Sequence, residues 1–249
     1  MIWICAATGT EAAACRRAFA THEQFEVVQT GVGLERASRT LREKIKTDKK
    51  PSWIISTGFA GALDPGLLPM SWITTQKIFL AENTREVRVL QSQIPQGLTA
   101  DVLKCGLISS PELTIQDGSS AAAYRKILAR QYPQIRVPLV VDMESAALAD
   151  FAEENEIAFA VVRMITDSPE KPLPQFVSTV ASAMAASSKR KKVRLFARGA
   201  KEIATNLGSA TRLARMGLQW SKNFEEGWRK LILNGFLVSG GVDDDFKLP

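Results

Sequence analysis

Short runs rich in β-branched and aromatic residues alternate with stretches of helical periodicity through the first 170 residues, an order that few folds accommodate. Such a chain closes its core by laying helices over both faces of a mostly parallel sheet. Ile2–Cys5, Phe25–Gln29, Trp53–Ser56, Ser71–Phe79, Val137–Val141 and Phe159–Ile165 are the expected strands. Between them, Glu11–Ala20, Leu34–Lys46, Ala121–Tyr132 and Glu144–Asn155 carry apolar residues at helical spacing. The segment 81–118, broken by Pro95, Gly97, Pro111 and Gly118, is expected to add one or two strands. Ser168–Pro174 holds three prolines in seven residues and reads as a loop. From Gln175 to about residue 233 the pattern is helical with no proline to interrupt it, and Gly240–Pro249 reads as a frayed end. The fold class is therefore α/β: a three-layer sandwich with a central mixed, mostly parallel sheet, plus a C-terminal helical extension.

Charge divides the 249 residues at the same place. Residues 1–185 carry 19 Lys+Arg against 20 Asp+Glu, whereas residues 186–249 carry 13 against 6, a net of +7. The expected organisation is one near-neutral domain over 1–185 and a basic helical extension over 186–249. An apolar share of 45% is enough for a sizeable core and excludes a disordered chain.

Counting also removes several chemistries. One histidine, His22, stands among polar residues, so neither a His-rich metal site nor a Ser-His-Asp hydrolase is expected. Cys5, Cys15 and Cys105 are odd in number and lack CxxC spacing, which points to reduced thiols in a cytoplasmic protein. The opening MIWICAAT has no positive start and turns polar at Thr8, so it reads as a first strand rather than a leader. No apolar stretch is long enough to span a bilayer.

In an open α/β sheet ligands bind beyond the carboxyl ends of the strands, so the residues following each run are the candidates. They are Gly9 and Glu11, then TGVG at 30–33, TGFAG at 57–61, Asp142-Met143-Glu144, and Thr166-Asp167. Each has a structural reading as well. Glu11 and Glu144 fall in first helical turns, where the dipole favours a carboxylate, Asp167 could cap a turn, and the glycines could serve tight turns. Neither GxxxxGK[ST] nor GxGxxG is present, which disfavours those phosphate cradles.

The strings TGVG at 30–33, STGFAGALDPG at 56–66, VDMESAALA at 141–149 and VVRMITD at 161–167 resemble the signature segments of the purine nucleoside phosphorylase and methylthioadenosine/S-adenosylhomocysteine nucleosidase superfamily, in order and spacing over roughly residues 1–180. Within it, the DPGLLP segment and the basic tail look most like the hopanoid-associated phosphorylase subgroup. The resemblance implies cleavage of a purine N-ribosyl bond and assigns roles. Asp167 matches the acid that protonates the purine at N7, and Glu11 the base that activates water. Glu144 matches the carboxylate that binds the ribose hydroxyls, with Met143 under the sugar. Gly58, Phe59 and Gly61 match positions beside the nucleoside, and Asp142 stands where the nucleosidases usually have Glu. The phosphorylases hold phosphate with an Arg and a Ser where this chain has Ser56 and Phe59. Arg36 could supply an anion site from another direction. Hydrolysis is therefore expected over phosphorolysis, with no cofactor, inorganic phosphate being a co-substrate only of a phosphorylase.

The expected substrate is a 5′-substituted adenine nucleoside, either lipid-linked, such as adenosylhopane, or methylthioadenosine or adenosylhomocysteine. From another class, a family member that binds nucleosides or membranes without turnover fits the same strings. Pro111–Thr114 would border the base, and the family implies a homo-oligomer. The basic tail, with seven cations and no acid over 189–201, invites a charged helix face over a core or an oligomer seam, a helix lying on an anionic membrane through residues 189–232, or, least favoured, a nucleic-acid surface. A lipid-linked substrate would be reached most easily from the inner face of the membrane.

Overall fold

The computed structural model describes residues 1–81, 87–109, 128, 130–131, 137–170, 177, 179–180, 183, 188–205 and 207–236. The strands are β1 (Ile2–Ala6), β2 (Phe25–Gln29), β3 (Trp53–Ala62), β4 (Trp72–Thr74), β5 (Lys77–Ala81), β6 (Val87–Gln91), β7 (Leu103–Lys104), β8 (Gly106–Ser109), β9 (Leu139–Asp142) and β10 (Ala158–Asp167). The helices are α1 (Gly9–Ala18), α2 (Leu34–Lys44), α3 (Ser145–Glu154), α4 (Lys189–Thr205) and α5 (Leu207–Leu233). The expected helix Ala121–Tyr132, the proline loop beyond Glu170, the first part of the expected C-terminal helix and the tail from residue 237 lie wholly or largely outside the described residues.

The ten strands among the described residues join one sheet in the order β6-β5-β8-β9-β3-β10-β4-β7, with β1 branching from β3 and β2 from β1. β1–β2, β1–β3, β3–β10, β4–β7, β5–β8 and β8–β9 are parallel, and β3–β9, β4–β10 and β5–β6 antiparallel, so the sheet is mixed and mostly parallel, as expected. Two expectations are corrected. Ser71–Phe79 is not one strand, because the Thr75 hydroxyl donates to the Lys77 carbonyl and accepts from the Lys77 amide, turning the chain from β4 beside β10 to β5 beside β8. The described residues of 81–118 supply three strands rather than one or two, β7 being only two residues long.

The sheet separates two apolar clusters. One, with α2 and α3, gathers Trp3, Leu41, Ile54, Leu107, Leu148, Phe151 and Val161. The other, with α1 and α5, gathers Ile4, Ala12, Cys15, Phe19, Ile55, Met164, Trp220, Phe224, Trp228 and Phe236. The layers are thus α1 with α5, the sheet, and α2 with α3. All three cysteines are buried and free, and burial pushes their thiols upward, that of Cys105 to about 12. They are packing residues.

The end of α5 belongs to this core. Phe224 stacks on Trp72 at a centroid distance of 5.3 Å, and Gly227 passes so close to the Trp72 ring that any Cβ would overlap it. Fully buried Trp228 donates from Nε1 to the Thr57 hydroxyl at 3.2 Å. At the surface Glu225 accepts from Arg17 at 2.6 Å and Arg229 at 3.0 Å, tying α5 to α1. Among the described residues no helix is long and apolar enough to cross a membrane. Trp228→Phe removes one buried hydrogen bond and some ring volume, and is expected to lower stability by about 1–2 kcal/mol. Urea unfolding should show this as a shift of one cooperative transition. An early, separate loss of helix signal would mean that α5 docks independently of the sheet.

Candidate active site

Gly58 is the point on which the candidate residues converge. It lies inside the long strand β3 at φ +130°, a conformation that side chains resist, and it pairs with Arg163 in the parallel register of β10. A Cβ there would collide with the Glu11 carboxylate and stand 3.4 Å from Arg163 Nη1. The absent side chain thus lets an acid and a base side chain approach one stretch of backbone.

Glu11 arrives from the first turn of α1, where the structural reading of it is realised. Its Oε2 accepts from the Thr8 amide and hydroxyl, each at 2.7 Å, while the Thr8 hydroxyl accepts from the Glu11 amide at 3.3 Å, a complete capping box. Its Oε1 accepts from the Phe59 amide at 2.8 Å. One oxygen orders the helix start and the other is held at Gly58. Glu11 is 4% exposed although ionisable, so water around it is restricted.

Arg163 stands in the middle of β10 with 1% exposure. A cation in so buried a strand needs partners, and they converge on it. Asp142 Oδ2 lies 2.6 Å from Nη2, which also donates to Ser56 Oγ at 2.9 Å. Nη1 donates to the Phe59 carbonyl at 3.0 Å and Nε to Ser145 Oγ at 3.3 Å. Ser145 Oγ also donates to Asp142 and shares a 2.8 Å bond with Ser56 Oγ, closing the network. Asp142 additionally accepts from the Ser145 amide at 3.1 Å, which satisfies the first free amide of α3.

Glu144, the residue before α3, makes no side-chain cap. Its Oε1 accepts from the Gly33 amide at 2.9 Å and its Oε2 lies 3.8 Å from Arg163. Burial pushes its carboxyl up to about 8, opposed by Arg163 and reinforced by the negative charge of Asp142. Asp167 ends β10 at 3% exposure, accepting from the Thr166 hydroxyl at 2.8 Å. Burial pushes it up to about 6, against the pull of that hydroxyl. A carboxyl so placed can hold a proton near neutral pH.

The expected positions therefore separate. Glu11, Glu144, Gly58 and the backbone of Phe59 are linked through Arg163, with Asp167 four residues further along its strand and paired with Gly61. Met143 is half-buried between Asp142 and Glu144. The Phe59 ring turns toward α5, 5.3 Å from Phe224 and 6.1 Å from Trp220. Arg36 lies along Gly31, its Cβ 3.3 Å from where a glycine Cβ would be, and no hydrogen bond or ion pair among the described residues joins it to the cluster. Pro111–Thr114 lie outside the described residues.

Topology also differs from the expectation that each site residue follows a strand end. β3 does not stop at Ser56 but runs on to Ala62, and β9 lies antiparallel to that second half, Val141 facing Gly61. β9 therefore delivers Asp142 and Glu144 back toward Gly58. Arg163, Ser56, Ser145 and Thr8 are the site residues that strand-end reasoning passed over. One signal was available: a lone Arg inside the apolar run VVRMITD must be paired if the strand is buried.

A family model described as the phosphorylase superfamily matches residues 11–197. Among curated proteins no sequence matches the chain. Solved structures with the same fold include a Streptococcus pneumoniae 5′-methylthioadenosine/S-adenosylhomocysteine nucleosidase with a transition-state inhibitor, at TM-score 0.55 and 16% identity, covering 81% of this chain and 99% of that one. A Helicobacter pylori futalosine hydrolase mutant matches at TM-score 0.55 and 12% identity, covering 81% and 98%. A Helicobacter pylori nucleosidase mutant with 5′-methylthioadenosine in its active site matches at TM-score 0.55 and 12% identity, with the same coverage of 81% and 98%. At such identities these structures speak to the fold, while the family model spans most of the chain and includes Glu11, Asp142, Glu144 and Asp167: the chain belongs to the phosphorylase superfamily.

Proposed function

We propose that this protein cleaves the N-ribosyl bond of a 5′-substituted adenine nucleoside, with water as the nucleophile. The observation that carries the reading is the meeting at Gly58 of a buried, backbone-anchored Glu11 and an Arg163 already neutralised by Asp142, with the proton-holding Asp167 on the same strand. In the reaction the C1′–N9 bond breaks and its electron pair passes to the purine. Asp167 gives its proton to N7, a water oxygen bonds to C1′, and Glu11 takes the water proton. Glu144 holds the ribose hydroxyls, with Met143 beneath the sugar. Exchange of protons with solvent restores both carboxyls.

The choice of water rests on charge and on packing. Arg163 is the only cation joined to the cluster among the described residues, and four of its N–H directions are committed to Asp142, Ser56, Ser145 and Phe59. A phosphate dianion would meet Glu11 with no free counter-charge. Phe59, fixed by Phe224 and Trp220, offers an aromatic ring where a phosphorylase needs a hydroxyl.

Methylthioadenosine and adenosylhomocysteine are the first substrates to offer, since one fold neighbour is a nucleosidase named for both and another holds 5′-methylthioadenosine in its active site. A lipid-linked nucleoside such as adenosylhopane is the second, on the resemblance of DPGLLP at 64–69 and the basic α4 to the hopanoid-associated subgroup. Adenine release from each is expected to be independent of inorganic phosphate. Release that rises saturably with phosphate and yields a ribose 1-phosphate would make the protein a phosphorylase and remove the base role from Glu11. No release from any of them would leave a binding protein.

A further inference from the structure

Helix α4 carries one buried side and an outer half divided lengthwise into two chemically different strips. Gly199 is buried against residues 179–180, a Cβ there standing 3.1 Å from Val180 Cγ2, and the Thr179 hydroxyl donates to Glu202 at 2.9 Å. Leu195 and Ile203 are half-buried on that side. Turning about 100° per residue, the outer half then shows Val193, Ala197, Ala200 and Ala204 along one strip and Lys191, Arg198, Arg194, Lys201 and Arg190 along the other. Every one of these nine residues is exposed, Val193 at 69%. Arg198 bonds Glu202 at 2.8 Å, whereas Arg190, Lys191, Arg194 and Lys201 have no carboxylate partner among the described residues.

We infer that α4 docks the protein flat on an anionic lipid bilayer. Four cations without a carboxylate partner among the described residues match lipid phosphates, and the strip beside them can sink its methyl groups to the depth of the acyl boundary while the cations stay at headgroup level. A nucleic acid backbone would satisfy the cations but leave the Val193 strip facing water. A second copy of the same face would set cation against cation. The docking element is α4 and not the whole of 189–232, because Trp220, Phe224 and Trp228 of α5 are consumed by the core. The inference does not depend on which nucleoside the site takes.

The test uses the full chain and sedimentation with phosphatidylcholine vesicles, with and without phosphatidylglycerol, beside a single-stranded RNA in the same buffer. Binding is expected only to the anionic vesicles, and to weaken as salt is raised. Reversing the charges in Arg190→Glu, Arg194→Glu and Lys201→Glu together should weaken it at least about tenfold. Val193→Asn, which leaves the charge unchanged, should weaken it several-fold. Unchanged circular dichroism and thermal unfolding would show that both variants keep the fold, as substitutions on an exposed face should. No binding to anionic vesicles at low salt, equal binding by Val193→Asn, or tighter binding to the RNA than to the vesicles would each overturn the assignment.

Discussion

Asp167→Asn is expected to lower the rate of adenine release by about two to four orders of magnitude, the range set by loss of a positioned general acid. The substitution is close to isosteric and retains an oxygen to accept from the Thr166 hydroxyl, so the strand end should keep its shape. What it removes is the transferable proton. The same residue sets a pH limb. Burial holds the Asp167 pKa at about 6, and the acid acts in its protonated form. Activity limited by it in the free enzyme is therefore present below about pH 6, and kcat/KM should fall as pH rises through that value. In Asp167→Asn this limb should vanish from the residual rate. A variant retaining activity within tenfold of the parent, or one whose profile still falls at the same pH, would take the proton-donor role away from Asp167.

The second large effect concerns stability. Arg163→Leu is expected to cost about 3–5 kcal/mol, because it leaves Asp142 as a buried charge with its principal counter-ion gone. Arg163 and Asp142 are both sealed from solvent, at 2% and 1% side-chain exposure, and their 2.6 Å contact is reinforced by Ser56 and Ser145. Glu144 would also lose the positive charge that opposes its desolvation, so its carboxyl should move still further upward. Combining Arg163→Leu with Asp142→Leu removes both charges together, and should recover a large part of the loss because no unpaired ion remains. Urea unfolding of the two variants decides the matter. A cost under about 1 kcal/mol for the single change would mean that the pair is solvated and does not organise the site.

Local pattern carried much of the architecture. The five residues of β2 were bounded correctly, and β1, α2 and α3 to within two residues, since each is a single periodic run between polar or glycine breaks. The sequence ends β3 at Ser56 because a TGFAG string looks like a turn. The structure instead keeps Gly58 in the strand at positive φ, where its missing side chain makes room for Glu11. The division of Ser71–Phe79 depended on a change of neighbouring strand, which no local periodicity records. Within the candidate site, Glu11, Glu144 and Asp167 were legible because carboxylates following apolar runs stand out. Arg163 is less legible because its meaning lies in partners on other strands, Ser56 and Phe59 over a hundred residues away on β3 and Asp142 at the end of β9.

The aromatic residues of α5 show the division most plainly. Trp220, Phe224, Trp228 and Leu231 recur at helical spacing whether they meet lipid, a second subunit or the body of the protein, so the sequence by itself determined an amphipathic helix and nothing about its partner. Only the tertiary structure brought them over Trp72, Phe59 and Phe19, and so left α4 as the basic helix with an exposed apolar strip. The physical reason is range. Hydrophobic periodicity, caps and strand-forming runs act over a few neighbouring residues and are written directly in the chain. The neutralisation of a buried charge and the burial of one apolar face against another arise only between segments that the completed sheet has brought together.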